Sequence, residues 1–224
     1  MTKVPFNIPE EKLRHYLRLM EKQKALSTAE KARGDFMQYV HCIWEEFIQG
    51  EHHKIMAQKF NDLATGKIKR LIVNMPPRHT KSEFASFLLP SWLMGRNPKL
   101  KIIQATHTGE LAVRFGRKVR NLMASGEYNQ VFPEVKLRSD SLAAGRWETN
   151  DGGEYFAAGV GGAITGRGAD LMIIDDPHSE QDAMSPSALD NAYEWYTSGP
   201  RQRLQPGGAI VIVMTRWSEI DLTG

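Results

Sequence analysis

The sequence predicts an α/β fold, a mostly parallel central sheet flanked by helices and preceded by a helical N-terminal segment. Three observations lead there. Residues 71–73, 171–174 and 209–214 are apolar runs of the kind that form strands buried on both faces. Stretches of helical periodicity alternate with these runs, as parallel strands joined by crossover helices require. The chain carries no internal repeat and no low-complexity segment that would point to another architecture.

Taken in order, residues 9–33 place Leu13, Tyr16, Leu17 and Met20 at helical spacing in a charged background, so an amphipathic helix is expected to pack on the core or to serve as a lid or docking element, ending near Gly34. Residues 35–66 form a second helical region. Its first stripe is Phe36, Tyr39, Val40, Ile43, Trp44 and Phe47; Gly50 interrupts it, and Gly66 closes it. A strand follows over 71–73, then a loop and a helix opened by Lys81 and Ser82. Residues 90–98, bounded by Pro90 and Pro98, read as a helix end and turn.

Residues 101–106 are a short strand. Residues 107–123 are a helix carrying Arg114, Arg117, Lys118 and Arg120, whose charge suits either a solvated face or a DNA backbone. Residues 124–150 look irregular, apart from Arg146 onward, which pairs with 154–158 as a hairpin turning on Gly152 and Gly153. A glycine-rich loop over 159–168 feeds the strand that ends in Asp175 and Asp176. A helix over 185–197, a basic loop over 201–208 and an apolar strand over 209–214 complete the chain.

Two stretches carry chemistry. In the first, a buried strand, the loop Pro76-Pro77-Arg78-His79-Thr80 and the helix start Lys81-Ser82 have the layout of a phosphate-binding loop. Backbone N–H groups face the anion, Lys81 reaches the outer phosphates and the Ser82 hydroxyl meets Mg²⁺. Met75 and Thr80 stand where the pattern has glycine, and a plain helix start with Ser as cap has the same local sequence. In the second, the strand before Pro177 delivers Asp175 to hold Mg²⁺ and Asp176 to orient or deprotonate a water. A strand followed by an Asp-Pro turn is the plainer alternative.

Composition sets the bounds. The chain has 224 residues, 41% hydrophobic and 25% charged, which suits a globular protein with a sizeable core. A net charge of +3 permits nucleic-acid contact without arguing for it. The single cysteine, Cys42, excludes an internal disulfide and reads as a small buried residue in a reducing compartment. No apolar run has the length of a membrane span, and the N-terminus has no signal-peptide core, so a soluble intracellular protein is expected.

With these pieces in order, the chain resembles the ATPase domain of the large terminase subunit of tailed bacteriophages. The resemblance rests on Val73-Asn-Met-Pro-Pro-Arg-His-Thr-Lys-Ser82, on Thr165-Gly-Arg-Gly-Ala-Asp-Leu-Met-Ile-Ile-Asp-Asp-Pro-His178, and on Ile212-Val-Met-Thr-Arg-Trp217 with Asp221-Leu222, and covers residues 35–224. It implies a P-loop NTPase of the ASCE type that couples hydrolysis of ATP, with Mg²⁺, to translocation of double-stranded DNA into a procapsid. The implied partners are the portal protein, the small terminase subunit and further copies of the chain in a ring, in the host cytoplasm.

By the same resemblance Pro77, Arg78, His79, Thr80, Lys81, Ser82 and Thr215 surround the phosphates, and Arg78 touches the γ-phosphate. Ser82 and Asp175 hold the metal. Asp176 stands where a glutamate is usual, with Glu180 as a fallback. Arg167, or else Arg146, completes a neighbouring subunit's site. His52 or His53 lies where base recognition is expected, though either suits a surface position. The implied division is a helical segment over 1–34 and a motor domain over 35–224, with the C-terminal nuclease domain and its activity expected to be absent. A helicase-like remodeller, or a degenerate module that binds DNA or portal without turnover, stays open as an alternative.

Overall fold

A computed structural model describes residues 10–164 and 166–224. Residues 1–9 of the expected N-terminal segment, and Thr165 at the head of the second motif, lie outside the described residues.

Helix α1 (Glu10–Gly34) runs unbroken for 25 residues. Its apolar stripe does not pack on the core: Leu13, Tyr16, Leu17 and Met20 are all exposed. Among the described residues, its buried positions lie only at the C-terminal end, at Ala29 and Ala32. Small side chains there allow close approach, so that Trp92 Nε1–H donates to Ala32 O at 2.9 Å and Arg33 Nε–H to Val131 O at 2.5 Å.

Helix α2 (Phe36–Ile43) starts at Asp35, whose carboxylate accepts the Gln38 N–H and satisfies a donor that the first turn leaves free. Phe36, wholly buried, meets Phe60, Phe84 and Trp92 edge to face with ring centroids 5.0 to 5.4 Å apart. Cys42 is only half-buried at the margin of this cluster, a small departure from expectation. Helix α3 (Glu51–Ala64) ends as expected, with Gly66 in the left-handed region at φ 73°.

Among the described residues seven strands form one sheet: β1 (Arg70–Asn74), β2 (Lys101–Thr106), β3 (Leu137–Ala143), β4 (Arg146–Thr149), β5 (Glu154–Gly159), β6 (Ala169–Asp175) and β7 (Leu204–Met214). Their spatial order is β1-β7-β6-β2-β5-β4-β3, parallel from β1 through β5 and antiparallel over the last two pairs. The loop strand β1 and the acid strand β6 are therefore not neighbours; β7 lies between them and bonds to both. All three end at the same edge, which is where crossover connections of parallel strands leave room for a ligand.

Beyond β1 a helix begins at Lys81, widens into a π-helical turn over Glu83–Leu88, and continues as α4 (Leu89–Arg96). The helix end and turn expected over 90–98 are found at Arg96 and residues 98–99, and Pro90 lies inside the helix. Pro90 cannot donate to the Ser86 carbonyl, and just before it Leu89 N–H reaches back five residues to Phe84 O, so the ladder loosens by one residue rather than stopping. Helix α5 (Gly109–Met123) covers the same face of the sheet as α2, α3 and α4, burying Val119 and Met123 beside Trp147 and Tyr155. The opposite face buries Ile103, Ile174 and Ile212, with Trp195 and Tyr196 of α7 (Pro186–Ser198) against it.

The region over 124–150 is not irregular. It holds α6 (Gly126–Val131), capped by Ser125, and β3, which pairs with β4 across a bulge between Leu137 and Leu142. Strand β7 also starts earlier than its apolar run. The segment around Pro206 bulges out between the pairs Ala169–Leu204 and Leu171–Ala209, with Gly207 at φ 88° making the kink. Among the described residues no helix is long and apolar enough to cross a membrane.

Candidate functional site

The loop after β1 turns back on itself through two residues in the left-handed region, Arg78 at φ 65° and Thr80 at φ 59°. Position 80 is one where the phosphate-loop pattern has glycine, and the backbone has the shape that glycine permits, adopted here by threonine. A local network compensates. His53 Nδ1 accepts the Gly50 N–H at 2.8 Å, so its proton sits on Nε2 and is donated to Thr80 Oγ1 at 2.5 Å; Thr80 Oγ1 in turn donates to His79 O at 2.6 Å. Burial, then the neighbouring His52 and His79, push the His53 pKa down to about 4, so the ring stays neutral at pH 7.

Thr80→Ala is therefore expected to lose about 1 kcal/mol of stability, since the hydrogen bond goes and the strain of a Cβ at positive φ stays. Thr80→Gly removes both and is expected to stay within about 1 kcal/mol of wild type. Chemical denaturation of the two variants checks the order; Gly falling below Ala would refute the strain.

The next two residues leave the loop and turn inward. Lys81 is 6% exposed, and its Nζ lies 2.9 Å from Asp176 Oδ2 and 3.1 Å from Thr215 Oγ1. Ser82 Oγ donates to Asp175 Oδ1 at 2.9 Å across 93 residues of sequence. Asp175 is almost wholly buried, and Ser86 Oγ donates to its second oxygen at 2.6 Å. Burial pushes the Asp175 pKa up to about 7; the adjacent Asp176 adds to this, and the two serine hydroxyls and Lys81 oppose it.

Asp176 takes φ 40°, which its short polar side chain tolerates. This turns the carboxylate toward β7: Oδ1 accepts the Thr215 N–H at 2.8 Å while Oδ2 pairs with Lys81. Thr215 Oγ1 also donates to Met75 O at 3.2 Å, closing a ring of contacts between the ends of β1, β6 and β7.

The segment after Thr215 is fixed by two buried polar residues. Asp221 accepts the N–H groups of Trp217, Ser218 and Thr223 and pairs with Arg216 at 3.0 Å. Burial raises its pKa, but those donors together bring it below the usual carboxylate range. His178, which burial keeps neutral against the pull of Asp221 and Asp182, accepts the Leu222 N–H at 3.1 Å through Nε2.

Of the expected site residues, Lys81, Ser82, Asp175, Asp176 and Thr215 thus meet. Pro77, Arg78 and His79 are exposed on the loop, where His79 Nδ1 donates to Pro77 O and Arg78 makes no hydrogen bond to another described residue. Glu180 is exposed beyond the acid strand. Arg167 and Arg146 are elsewhere: both pair with Glu154 at the start of β5, and Arg167 also lies 4.1 Å over the Phe156 ring, at the sheet edge opposite the acids. On α5, Lys118 is tied to Glu83 and Arg120 to Leu142 O, while Arg114 and Arg117 remain exposed.

Ser86, Gln104, His178 and the Thr80 contact of His53 have no role predicted from the sequence. Only Ser86 leaves a trace in the sequence, four residues after Ser82 and hence on the same helix face. For a metal, Asp175 and Ser82 offer oxygen donors. Among the described residues no three His, Cys, Asp or Glu side chains converge as a self-sufficient centre. That donor set fits Mg²⁺, which takes one or two carboxylates and leaves the remaining positions to phosphate and water. No protein-family model matches the chain, and no curated protein matches it significantly.

Proposed function

We propose that the chain is a P-loop ATPase of the ASCE type, the motor domain of a DNA-packaging terminase. One observation carries the reading: two adjoining sets of polar contacts, Lys81 with Asp176 and Thr215, and Ser82 with Asp175, bring together residues far apart in sequence behind a tightly turned loop. The placement of β7 between the loop strand and the acid strand supports it, because the γ-phosphate of a bound nucleotide would then face Thr215.

The residues divide the work. Lys81 exchanges Asp176 for the outer phosphates when ATP arrives, and the released Asp176 carboxylate orients the attacking water. Ser82 and Asp175 hold Mg²⁺, which when bound neutralises phosphate charge. Arg78 reaches the γ-phosphate from the loop. Arg167, on the far edge, serves the neighbouring subunit of a ring after leaving Glu154. Exposed Arg114 and Arg117 offer phosphate contacts to double-stranded DNA. The portal protein and the small terminase subunit are the further partners this reading entails. A non-hydrolysing module that binds nucleotide or DNA is the second reading, favoured by Thr80 in place of glycine.

Steady-state ATP hydrolysis against protein concentration decides between them, with wild type beside Lys81→Ala and Arg167→Ala. Specific activity is expected to rise with concentration, and both variants are expected to lose turnover, by 10³-fold or more for Arg167→Ala. Mixing the two inactive proteins should restore part of it, since one contributes an intact site and the other an intact arginine. Turnover absent at every concentration would favour the binding module.

A further inference from the structure

We infer that Ser86, held in turn by Gln104, is the positioning residue that aims the metal-holding carboxylate of Asp175; the inference rests on the phosphate-site reading above. Ser82 and Ser86 face Asp175 from the same side of one helix and take one oxygen each, Ser82 on Oδ1 and Ser86 on Oδ2. The two hydroxyls are not equivalent. Ser82 is half-buried next to the loop, whereas Ser86 is completely buried.

Behind Ser86 stands a second buried polar group. Gln104 projects from β2, the strand hydrogen-bonded to β6, where it is the register partner of Ile173, two residues before Asp175. Its Nε2 donates to Ser86 Oγ at 3.0 Å. A serine hydroxyl has one proton, and with its oxygen occupied by the amide that proton points to Asp175 Oδ2. The order Gln104, Ser86, Asp175 therefore has a fixed direction. The amide accepts a cost for this, since Gln104 Oε1 is buried without a partner among the described residues.

Phe84, Leu88 and Ile173, close by in the chain or in register, are all fully buried. In such a place an apolar side chain at 104 would be cheaper for folding alone, because the Gln104 amide would no longer need partners. What the two polar residues add is orientation. With Oδ2 tied from below, the carboxylate cannot rotate about Cβ–Cγ, and Oδ1 stays turned toward Ser82 and the loop. The π-helical turn, which spans Ser86, is the backbone irregularity that accompanies this contact.

Groups that orient a metal ligand without touching the metal are worth about 10- to 100-fold in metal affinity. Ser86→Ala is expected to raise the Mg²⁺ concentration for half-maximal binding of N-methylanthraniloyl-ATP by about tenfold, while affinity for the same probe in EDTA stays within about twofold. Ser86→Thr keeps the hydroxyl and is expected to restore the wild-type Mg²⁺ dependence, and Gln104→Met to shift it in the same direction as Ser86→Ala.

An unchanged Mg²⁺ half-saturation in Ser86→Ala overturns the inference, as does an equal loss of binding with and without Mg²⁺, which is what a purely structural role gives. If Ser86→Ala fails to fold, Gln104→Met decides: wild-type Mg²⁺ dependence in that variant overturns it. Wild-type protein that binds the probe without any Mg²⁺ dependence removes the site reading itself, and the inference with it.

Discussion

At pH 8, Asp175→Asn is expected to melt several degrees above wild type and to hydrolyse no ATP. The acid is almost fully buried, and its pKa stands at about 7 against an ordinary 3.8. Three pKa units correspond to about 4 kcal/mol by which the folded state disfavours the charged form. The sign follows from proton binding. Below pH 3.8 the group is protonated in both states and costs nothing. Between 3.8 and about 7 the unfolded chain releases the proton while the folded one keeps it, so stability falls as pH rises; above 7 the full penalty is present.

Asparagine keeps the shape and never carries the charge. Melting temperatures of the two proteins, measured without metal, should therefore converge near pH 4 and separate steadily up to pH 7. Parallel curves from pH 5 to 8 would refute the assignment. Saturating Mg²⁺ with ATP should narrow the gap by stabilising wild type alone, since a ligand that binds only the folded state adds to its stability.

Asp176→Ala carries the second large effect, on rate and stability together. It leaves the Lys81 ammonium, 6% exposed, without its anion. Breaking a sealed pair costs about 3 to 5 kcal/mol, and the 30% exposure of the Asp176 side chain brings the expected loss down to about 2 kcal/mol. Under the proposed mechanism the water also loses its base, which lowers single-turnover hydrolysis by about 10² to 10⁴-fold. Glu180→Gln serves as the control and is expected to keep wild-type turnover, because Glu180 is exposed away from Lys81. The reverse pattern would move the base to Glu180.

What the sequence discloses here depends on how local the cause is. Strand β6 and the second half of β7 are legible because each carries an uninterrupted apolar run, and the loop is legible because Lys81-Ser82 opens a helix a few residues after a strand. Strand β3 is not: Leu137-Arg-Ser-Asp-Ser-Leu-Ala143 has almost no apolar alternation, and its pairing with β4 makes it a strand. The same holds for Pro90, which by local rule ends a helix and in the fold only widens it by a residue. In the site, the residues that touch one another across the sheet edge carry local signals. Those that support them, Gln104 beneath Ser86 and His53 beneath Thr80, come from other elements and become visible only when the chain is folded.

Helix α1 has one mechanical property that follows from its attachment. It is a cantilever, exposed over residues 10–28 and clamped at Ala29 and Ala32, with its clamp bonded to Trp92. Trp92 belongs to the same continuous helical rod that starts at Lys81. From Ala32 to Glu10 the arm measures roughly 33 Å at 1.5 Å per residue, so a tilt of about 10° at the clamp would sweep its tip through roughly 6 Å. A displacement too small to resolve at the loop would thus be magnified at the tip, where a pair of fluorescent labels could read it.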